Sequence, residues 1–224
     1  MTKPYYDSGG VTIYNCDCRD ILPHLKADVV VTDPPYGIGR DGQAASNGKH
    51  GGRKAYEHLG WDSSRPERST FDSILAAAGT QIIWGGNYFA DMLPASSGWL
   101  VWDKGQRISQ SDGELAWTSM NAALRIFVQN RVALMMDGAV HPTQKPLSLI
   151  LWCLGMAEGA VLDPFMGSGT TLVAAKQLGR RAIGIEIEER YCEVAAKRLE
   201  QGVLFGPQSP SRTPAIQSVL PTGD

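Results

Sequence analysis

The fold of this chain is decided by the stretch Leu162-Asp163-Pro164-Phe165-Met166-Gly167-Ser168-Gly169-Thr170-Thr171. The run Gly159 to Leu162 before it predicts a strand. The run Thr170 to Leu178 after it predicts a helix, which ends at Gly179, a glycine just past a helix end. A glycine-rich turn between a strand and a helix is typical of an open α/β sheet, whose default ligand site lies beyond the carboxyl ends of the strands. The stretch therefore predicts both a fold class and a ligand site.

Short β-type runs alternate with helical patterns along the rest of the 224 residues. Further strands are predicted at Val11–Tyr14, Ala27–Thr32, Thr80–Trp84, Trp99–Trp102, Ala123–Val128, Arg131–Met135 and Arg181–Ile187, and further helices at Arg19–Leu25, Ser69–Ala78, Tyr88–Leu93, Leu147–Gly155 and Glu189–Glu200. The alternation predicts an α/β fold with a doubly wound, mostly parallel sheet and helices on both faces. We expect one domain over residues 1–205, since the chain is short for two.

Two segments show neither pattern. Residues 37–60 hold seven glycines among scattered polar residues, which predicts a mobile loop. Residues 206–224 are rich in proline, serine and threonine, which predicts a disordered tail.

The composition excludes some classes of protein. Hydrophobic residues make up 43% and charged residues 20%, as in ordinary globular proteins. No apolar run approaches the roughly 20 residues of a membrane span, and the first residues form no apolar signal segment, so we expect no membrane association and a cytoplasmic location. The four cysteines offer one close pair, which is insufficient for a structural metal site, so we expect reduced thiols and no metal; they are Cys16, Cys18, Cys153 and Cys192.

Charge is distributed unevenly along the chain. The net charge is −2, but between Arg40 and Tyr56 the basic residues Arg40, Lys49, Arg53 and Lys54 stand against only Asp41. Because local charge is what contacts phosphate, these four side chains are candidates for binding nucleic acid. A merely solvated loop would carry the same charges.

The glycine turn suits an adenosine-containing cofactor. Gly167 and Gly169 allow close approach of a ligand to the backbone. Glu186, at the end of the next predicted strand, is spaced from the turn as the acidic residue that accepts from ribose hydroxyls. Pro164 and Phe165 stand at the head of the turn in place of a first glycine, which disfavours pyrophosphate binding. A glycine turn used only for packing is the alternative.

A second motif, Asp33-Pro34-Pro35-Tyr36, also follows a predicted strand. Consecutive prolines fix φ and remove donors, so the carbonyls of Asp33 and Pro34 are held as acceptors. Together with the Asp33 carboxylate they suit the two N–H groups of an exocyclic amine, and Tyr36 can stack on a base. A base within a duplex cannot reach such a pocket, so it must be flipped out. An ordinary proline-rich turn is the alternative.

Taken together and in this order, the motifs resemble those of the amino-group DNA methyltransferases of the circularly permuted, beta type. The resemblance covers about Val11 to Leu199. It implies that S-adenosylmethionine is the cofactor and that the catalytic residues are Asp33, Pro34, Pro35 and Tyr36. It further implies that the cofactor is bound by Asp163, Phe165, Gly167, Ser168, Gly169 and Glu186, by Asp17 near its adenine, and by Thr143 and Lys145 at its methionine carboxylate.

The resemblance implies methylation of N6 of a flipped-out adenine in double-stranded DNA. N4 of cytosine stays open, because both bases present the same amine. Methylation of RNA or of a protein amide, and a non-catalytic DNA-binding role, are further alternatives. Residues 104–140 leave room only for a reduced target-recognition region. Recognition is therefore expected from Gly37 to Gly60, from Lys104 to Glu114, or from a second subunit in a homodimer.

Overall fold

The computed structural model describes residues 3–39, 46–48, 51–53, 60, 62–105, 111–129 and 144–201, with the backbone alone for 46–48 and 51–53. The strands are β1 (Tyr6–Ser8), β2 (Val11–Asn15), β3 (Val29–Thr32), β4 (Ser46–Gly48), β5 (Gly51–Arg53), β6 (Thr80–Trp84), β7 (Trp99–Asp103), β8 (Gly113–Thr118), β9 (Arg125–Val128), β10 (Val161–Asp163) and β11 (Ala182–Glu186). The helices are α1 (Cys18–Ile21), α2 (Arg68–Ala77), α3 (Leu147–Leu154), α4 (Thr170–Gln177) and α5 (Glu189–Glu200).

Nine of these strands form one sheet in the order β1-β2-β11-β10-β3-β6-β8-β7-β9. The strands from β2 to β6 in this order pair in parallel, and β7 pairs with β9 in parallel. Only β1 and β8 run antiparallel to their neighbours. The predicted mostly parallel sheet is confirmed.

The sheet is covered on both faces. Along β3, Val29 and Val31 belong to one buried cluster and Val30 to another, because successive side chains point to opposite faces. Helices α3, α4 and α5 supply apolar residues to the first cluster, and α1 and α2 to the second. This is the doubly wound arrangement that the sequence predicts.

Several predicted elements differ in the structure. The predicted helix Tyr88–Leu93 is wrong: a short 3-10 turn spans Gly86–Tyr88, following Gly85 in the left-handed region. The predicted loop 37–60 contains a two-stranded hairpin, β4–β5. The predicted strand Arg131–Met135 and the tail 206–224 lie outside the described residues. None of the helices in the described ranges has the length and apolar character needed to cross a membrane.

Candidate functional site

The two motifs meet at one edge of the sheet. Strands β3 and β10 are parallel neighbours, with Val29 opposite Val161 and Val30 opposite Leu162, so the turns that follow them begin side by side. The Thr32 hydroxyl donates to Asp163 Oδ1 at 2.8 Å, and both side chains are buried. The sequence separates these two turns by 130 residues, and the sheet brings them into direct contact.

A cavity of about 520 Å³ opens between the two turns. It is lined by Asp33 and Pro35 from the first turn and by Asp163, Phe165, Gly167, Ser168 and Glu186 from the second region, with Asp17 and Lys145 at its walls. The structure thus gathers most of the residues predicted from the sequence around one space. Gly169, Pro34 and Tyr36 adjoin it in the chain but do not line it.

The glycine turn is fixed by Glu186. Its carboxylate accepts from the backbone N–H of Gly167 at 3.0 Å and from that of Glu188 at 2.9 Å. Burial raises the pKa of Glu186 to about 7, and the two backbone donors only partly oppose the shift. Gly167 has φ +51°, and a Cβ added there would meet nothing within 4 Å. The backbone of the turn therefore faces open space beside a carboxylate that is already oriented.

Two further residues support this turn from behind. Asp163 accepts from the Phe165 N–H at 3.1 Å as well as from Thr32, and burial raises its pKa to about 6. Arg198 of α5 donates to the Ser168 carbonyl at 2.6 Å and to the hydroxyls of Ser168 and Thr170, each at 3.2 Å. No sequence pattern indicates this role of Arg198, because its spacing from the turn reflects only how α5 packs.

Asp33 lies at the end of a chain of charged side chains. The Tyr36 hydroxyl donates to Asp33 Oδ1 at 2.5 Å, and the Lys145 ammonium donates to Asp33 Oδ2. Lys145 Nζ also lies 3.1 Å from Glu114 Oε2, and Lys104 Nζ lies 2.8 Å from Glu114 Oε1. Lys145 was predicted to bind the methionine carboxylate; here its ammonium is bound to two carboxylates of the protein.

The charges of this network are set by burial and by pairing. Burial raises the pKa of Asp33, against the opposing effect of Lys145. Burial alone would also raise the pKa of Glu114, but the ammonium groups of Lys145 and Lys104 outweigh it and hold the pKa at about 2. Burial would lower the pKa of Lys145, and the two carboxylates reverse this effect. Lys145 is therefore a cation and Glu114 an anion at neutral pH.

Tyr36 is held by an aromatic cluster that the sequence did not indicate. Its ring stacks on Tyr88 with centroids 4.6 Å apart and planes at 16°, and it meets Phe89 edge-on at 6.0 Å. Gly85 has φ +72°, and a Cβ at this position would lie 2.2 Å from Tyr36 Cε1. The cluster thus needs a glycine at position 85. The sequence predicts that the Tyr36 ring stacks on a base. In the structure Tyr88 covers one face of this ring.

The remaining predicted site residues fall into two groups. The Asp17 carboxylate caps α1 through the N–H of Arg19 at 2.9 Å and pairs with its guanidinium at 2.5 Å, while still lining the cavity. Thr143, Arg40, Lys49 and Lys54 lie outside the described residues, and Arg53 is described only as backbone in β5. Their roles in cofactor and DNA binding stay predictions.

No set of three or more His, Cys, Asp or Glu side chains among the described residues is placed to hold a metal ion. The four cysteines, all described, are free. Burial raises the pKa of Cys18 and Cys192 to about 12, so neither is a thiolate at neutral pH.

Residues 101–197 match the model of a family of N6/N4 methyltransferases whose description is "DNA methylase". The chain is 28% identical over 259 residues to the Type II methyltransferase M2.LlaDCHI of Lactococcus lactis subsp. cremoris, covering 92% of this chain and 95% of that protein. It is 29% identical over 253 residues to the Type II methyltransferase M2.DpnII of Streptococcus pneumoniae, covering 89% and 93%.

Solved structures share the fold. The crystal structure of the M1.HpyAVI–SAM complex superimposes with a TM-score of 0.56 at 24% identity, covering 84% of this chain and 98% of that one. The cytosine-N4-specific PvuII DNA methyltransferase superimposes with a TM-score of 0.59 at 16% identity, covering 88% of this chain and 89% of that one. These similarities confirm the predicted fold class.

Proposed function

We infer that this chain is a DNA methyltransferase of the amino-group class, and we propose that it methylates N6 of adenine in double-stranded DNA. The family match over residues 101–197 and the two Type II relatives support the class. The observation that supports the reaction most strongly is the contact between the two turns. The Thr32–Asp163 hydrogen bond fixes Asp33 next to the glycine turn, across one shared cavity.

S-adenosylmethionine is the cofactor, and the residues of the cavity fit it. The half-buried Glu186 carboxylate, fixed by two backbone donors, is oriented as an acceptor for ribose hydroxyls. The open space at Gly167 leaves the backbone free for close approach, and Phe165 gives the cavity an apolar wall. Asp17 at the cavity wall is the acceptor proposed for the adenine end. When bound, the cofactor supplies a methyl group on a positively charged sulfur.

The protein's own part in the reaction is to hold and polarise the amine. An exocyclic NH₂ is a poor nucleophile because its lone pair is delocalised into the ring. Two fixed acceptors, the Asp33 carboxylate and the Pro34 carbonyl, would take its two N–H groups and build negative charge on nitrogen. A carboxylate has about four acceptor positions, so Asp33 can bind the amine while it holds Tyr36 and Lys145. Alignment and electrostatics suffice, without a covalent enzyme intermediate.

The target base must leave the helical stack to reach this pocket, so we propose base flipping. Tyr36 is the proposed stacking partner, with Tyr88 supporting its other face at a centroid distance of 4.6 Å. Stacking of a base on an aromatic side chain is worth about 1–3 kcal/mol per base. Fluorescence of 2-aminopurine at the target position should rise on binding if the base is extruded. No rise with bound DNA would count against flipping.

DNA contact is proposed for Arg40, Lys49, Arg53 and Lys54. The alignments with the two Type II relatives span 259 and 253 residues, more than the 224 of this chain, so the relatives carry insertions that this chain lacks. A smaller recognition region is consistent with that difference, and a second copy of the chain would add contacts. Light scattering with and without DNA tests the homodimer. Affinity that declines steeply with salt would support the phosphate contacts.

The function is tested by sequencing modified bases in the DNA of cells that express the chain, beside cells that express Asp33→Ala. We expect N6-methyladenine at one sequence context, absent with the variant. If N4-methylcytosine is found instead, cytosine and not adenine is the target base. Label from the methyl group in RNA or protein but not in DNA would overturn the proposed substrate, and equal methylation with Asp33→Ala would overturn the role of the motif.

A further inference from the structure

Glu114 lies in β8, has 28% of its side chain exposed and belongs to neither motif. Both its carboxylate oxygens are bound by lysines, Oε1 by Lys104 at 2.8 Å and Oε2 by Lys145 at 3.1 Å. The Lys145 ammonium then donates to Asp33. Charges therefore alternate in sign along Lys104, Glu114, Lys145 and Asp33, from the end of β7 to the turn after β3.

Burying the charged groups of this network costs more free energy than a purely structural contact requires. Lys104 and Lys145 are 5% and 8% exposed, and taking such groups out of water costs more than their pairing usually returns. An apolar cluster of similar volume would hold β8 against the site at lower cost. The network connects to the site through Lys145, which is the only cation among the described side chains that bonds to Asp33.

We propose that Glu114 is a positioning residue, which holds Lys145 against Asp33 and balances the charge at that carboxylate, with Lys104 as its own counter-ion. The proposal rests on the proposed role of Asp33 as the acceptor for the amine. Glu114 has no bond to Asp33, so it acts through Lys145.

The charged and titratable groups that face Asp33 come from four elements. Lys145 precedes α3, Glu114 lies in β8, Tyr36 follows β3, and Asp163 ends β10. The negative charge of Glu114 favours protonation of Asp33, and the positive charge of Lys145 opposes it. Removing Glu114 should therefore lower the pH at which Asp33 titrates. Removing Lys104 should raise it, because one positive charge is lost from the network.

The experiment follows the Asp33 carboxyl carbon by NMR in protein labelled at aspartate, with the signal assigned by its loss in Asp33→Asn. Glu114→Gln removes the negative charge but keeps a side-chain oxygen that can accept from Lys145, so Lys145 stays against Asp33. We therefore expect the midpoint of the Asp33 titration to fall by about one pH unit in this variant. In Lys104→Met it should rise by a smaller amount. Glu193→Gln is the matched control, since Glu193 has the same kind of lysine partner in Lys197 but lies exposed on α5. The midpoint of the Asp33 titration in this control should equal that of the wild type.

An unchanged Asp33 midpoint in folded Glu114→Gln would overturn the proposal, and so would shifts of the same sign in Glu114→Gln and Lys104→Met. If Glu114→Gln does not fold, the Asp33 midpoint in Lys104→Met decides: a rise supports the proposal, and no rise overturns it. The acid limb of kcat against pH should move with the NMR midpoint in each variant. A wild-type chain that transfers no methyl group to DNA would refute the proposed function, whereas the titration tests the network separately.

Discussion

Replacing Gly85 by alanine should disable catalysis through Tyr36 while leaving the cofactor site intact. The added Cβ would lie 2.2 Å from Tyr36 Cε1, whereas ordinary contact begins at 3.4 Å. The ring must therefore move by about 1.2 Å, the difference between these two distances. That movement breaks its stacking on Tyr88 and its hydrogen bond to Asp33.

The expected loss can be worked from this displacement. A misplacement of about 1 Å in a catalytic group can cost about a hundredfold in rate, which corresponds to about 2.7 kcal/mol in the activation barrier. Alanine at φ +72° also costs about 1–2 kcal/mol of folding stability, whatever its neighbours. Gly179→Ala separates the two effects, because Gly179 has φ +65° and open space within 4 Å of its Cβ.

Single-turnover transfer of labelled methyl groups to DNA gives the rate, calorimetry gives the cofactor affinity, and thermal unfolding gives the stability. Both variants should lose the stability cost of alanine in the left-handed region, and Gly85→Ala should lose more because the Tyr36 contacts are broken as well. Only Gly85→Ala should lose about a hundredfold in rate at unchanged cofactor affinity. Wild-type turnover in folded Gly85→Ala would refute the argument that the position of Tyr36 matters for catalysis.

Three other predictions concern Asp33, Gly167 and Glu186. Asp33→Ala should lower turnover by at least about a hundredfold with cofactor affinity nearly intact by calorimetry, and equal loss of both would contradict the assigned role. Gly167→Val should abolish cofactor binding, because its side chain would project into the cavity from φ +51°, whereas Gly179→Val should not; undiminished binding would exclude the site. The pKa of Glu186 is raised by burial from 4.5 to about 7, so the folded chain retains a proton that the unfolded chain releases, and the free energy of unfolding should fall as pH rises between these values. Denaturant titrations should show a smaller fall in Glu186→Gln; identical slopes would speak against a buried, proton-binding carboxyl.

The central strands were predictable because local pattern and tertiary environment agree there. Strand β6 matches its predicted bounds Thr80–Trp84, and α5 matches Glu189–Glu200. The outer elements depend on long-range pairing instead. β1 is a strand only through its pairing with β2, and the bounds of β8 follow from its ladders to β6 and β7.

The same distinction divides the site. The two motifs identify Asp33 and the glycine turn because their chemistry is local to a few residues. Glu114 carries no such signal: it is one acidic residue at the start of an apolar strand, Glu114-Leu115-Ala116-Trp117. Its contact with Lys145 exists only because β8 lies beside β6, and no spacing in the sequence reports that order.

The position of β3 between β6 and β10 has a consequence for synthesis of the chain. One edge of β3 can pair with β6 early, but its other edge waits for β10, and Thr32 and Asp163 are separated by 131 positions. At about 5–20 residues per second on the ribosome, that wait lasts roughly 6–26 s. Throughout it the run Val29-Val30-Val31-Thr32 presents an open, apolar edge of the kind that recruits other strands. The newly made protein should therefore depend on chaperones most in the interval before residue 161 emerges.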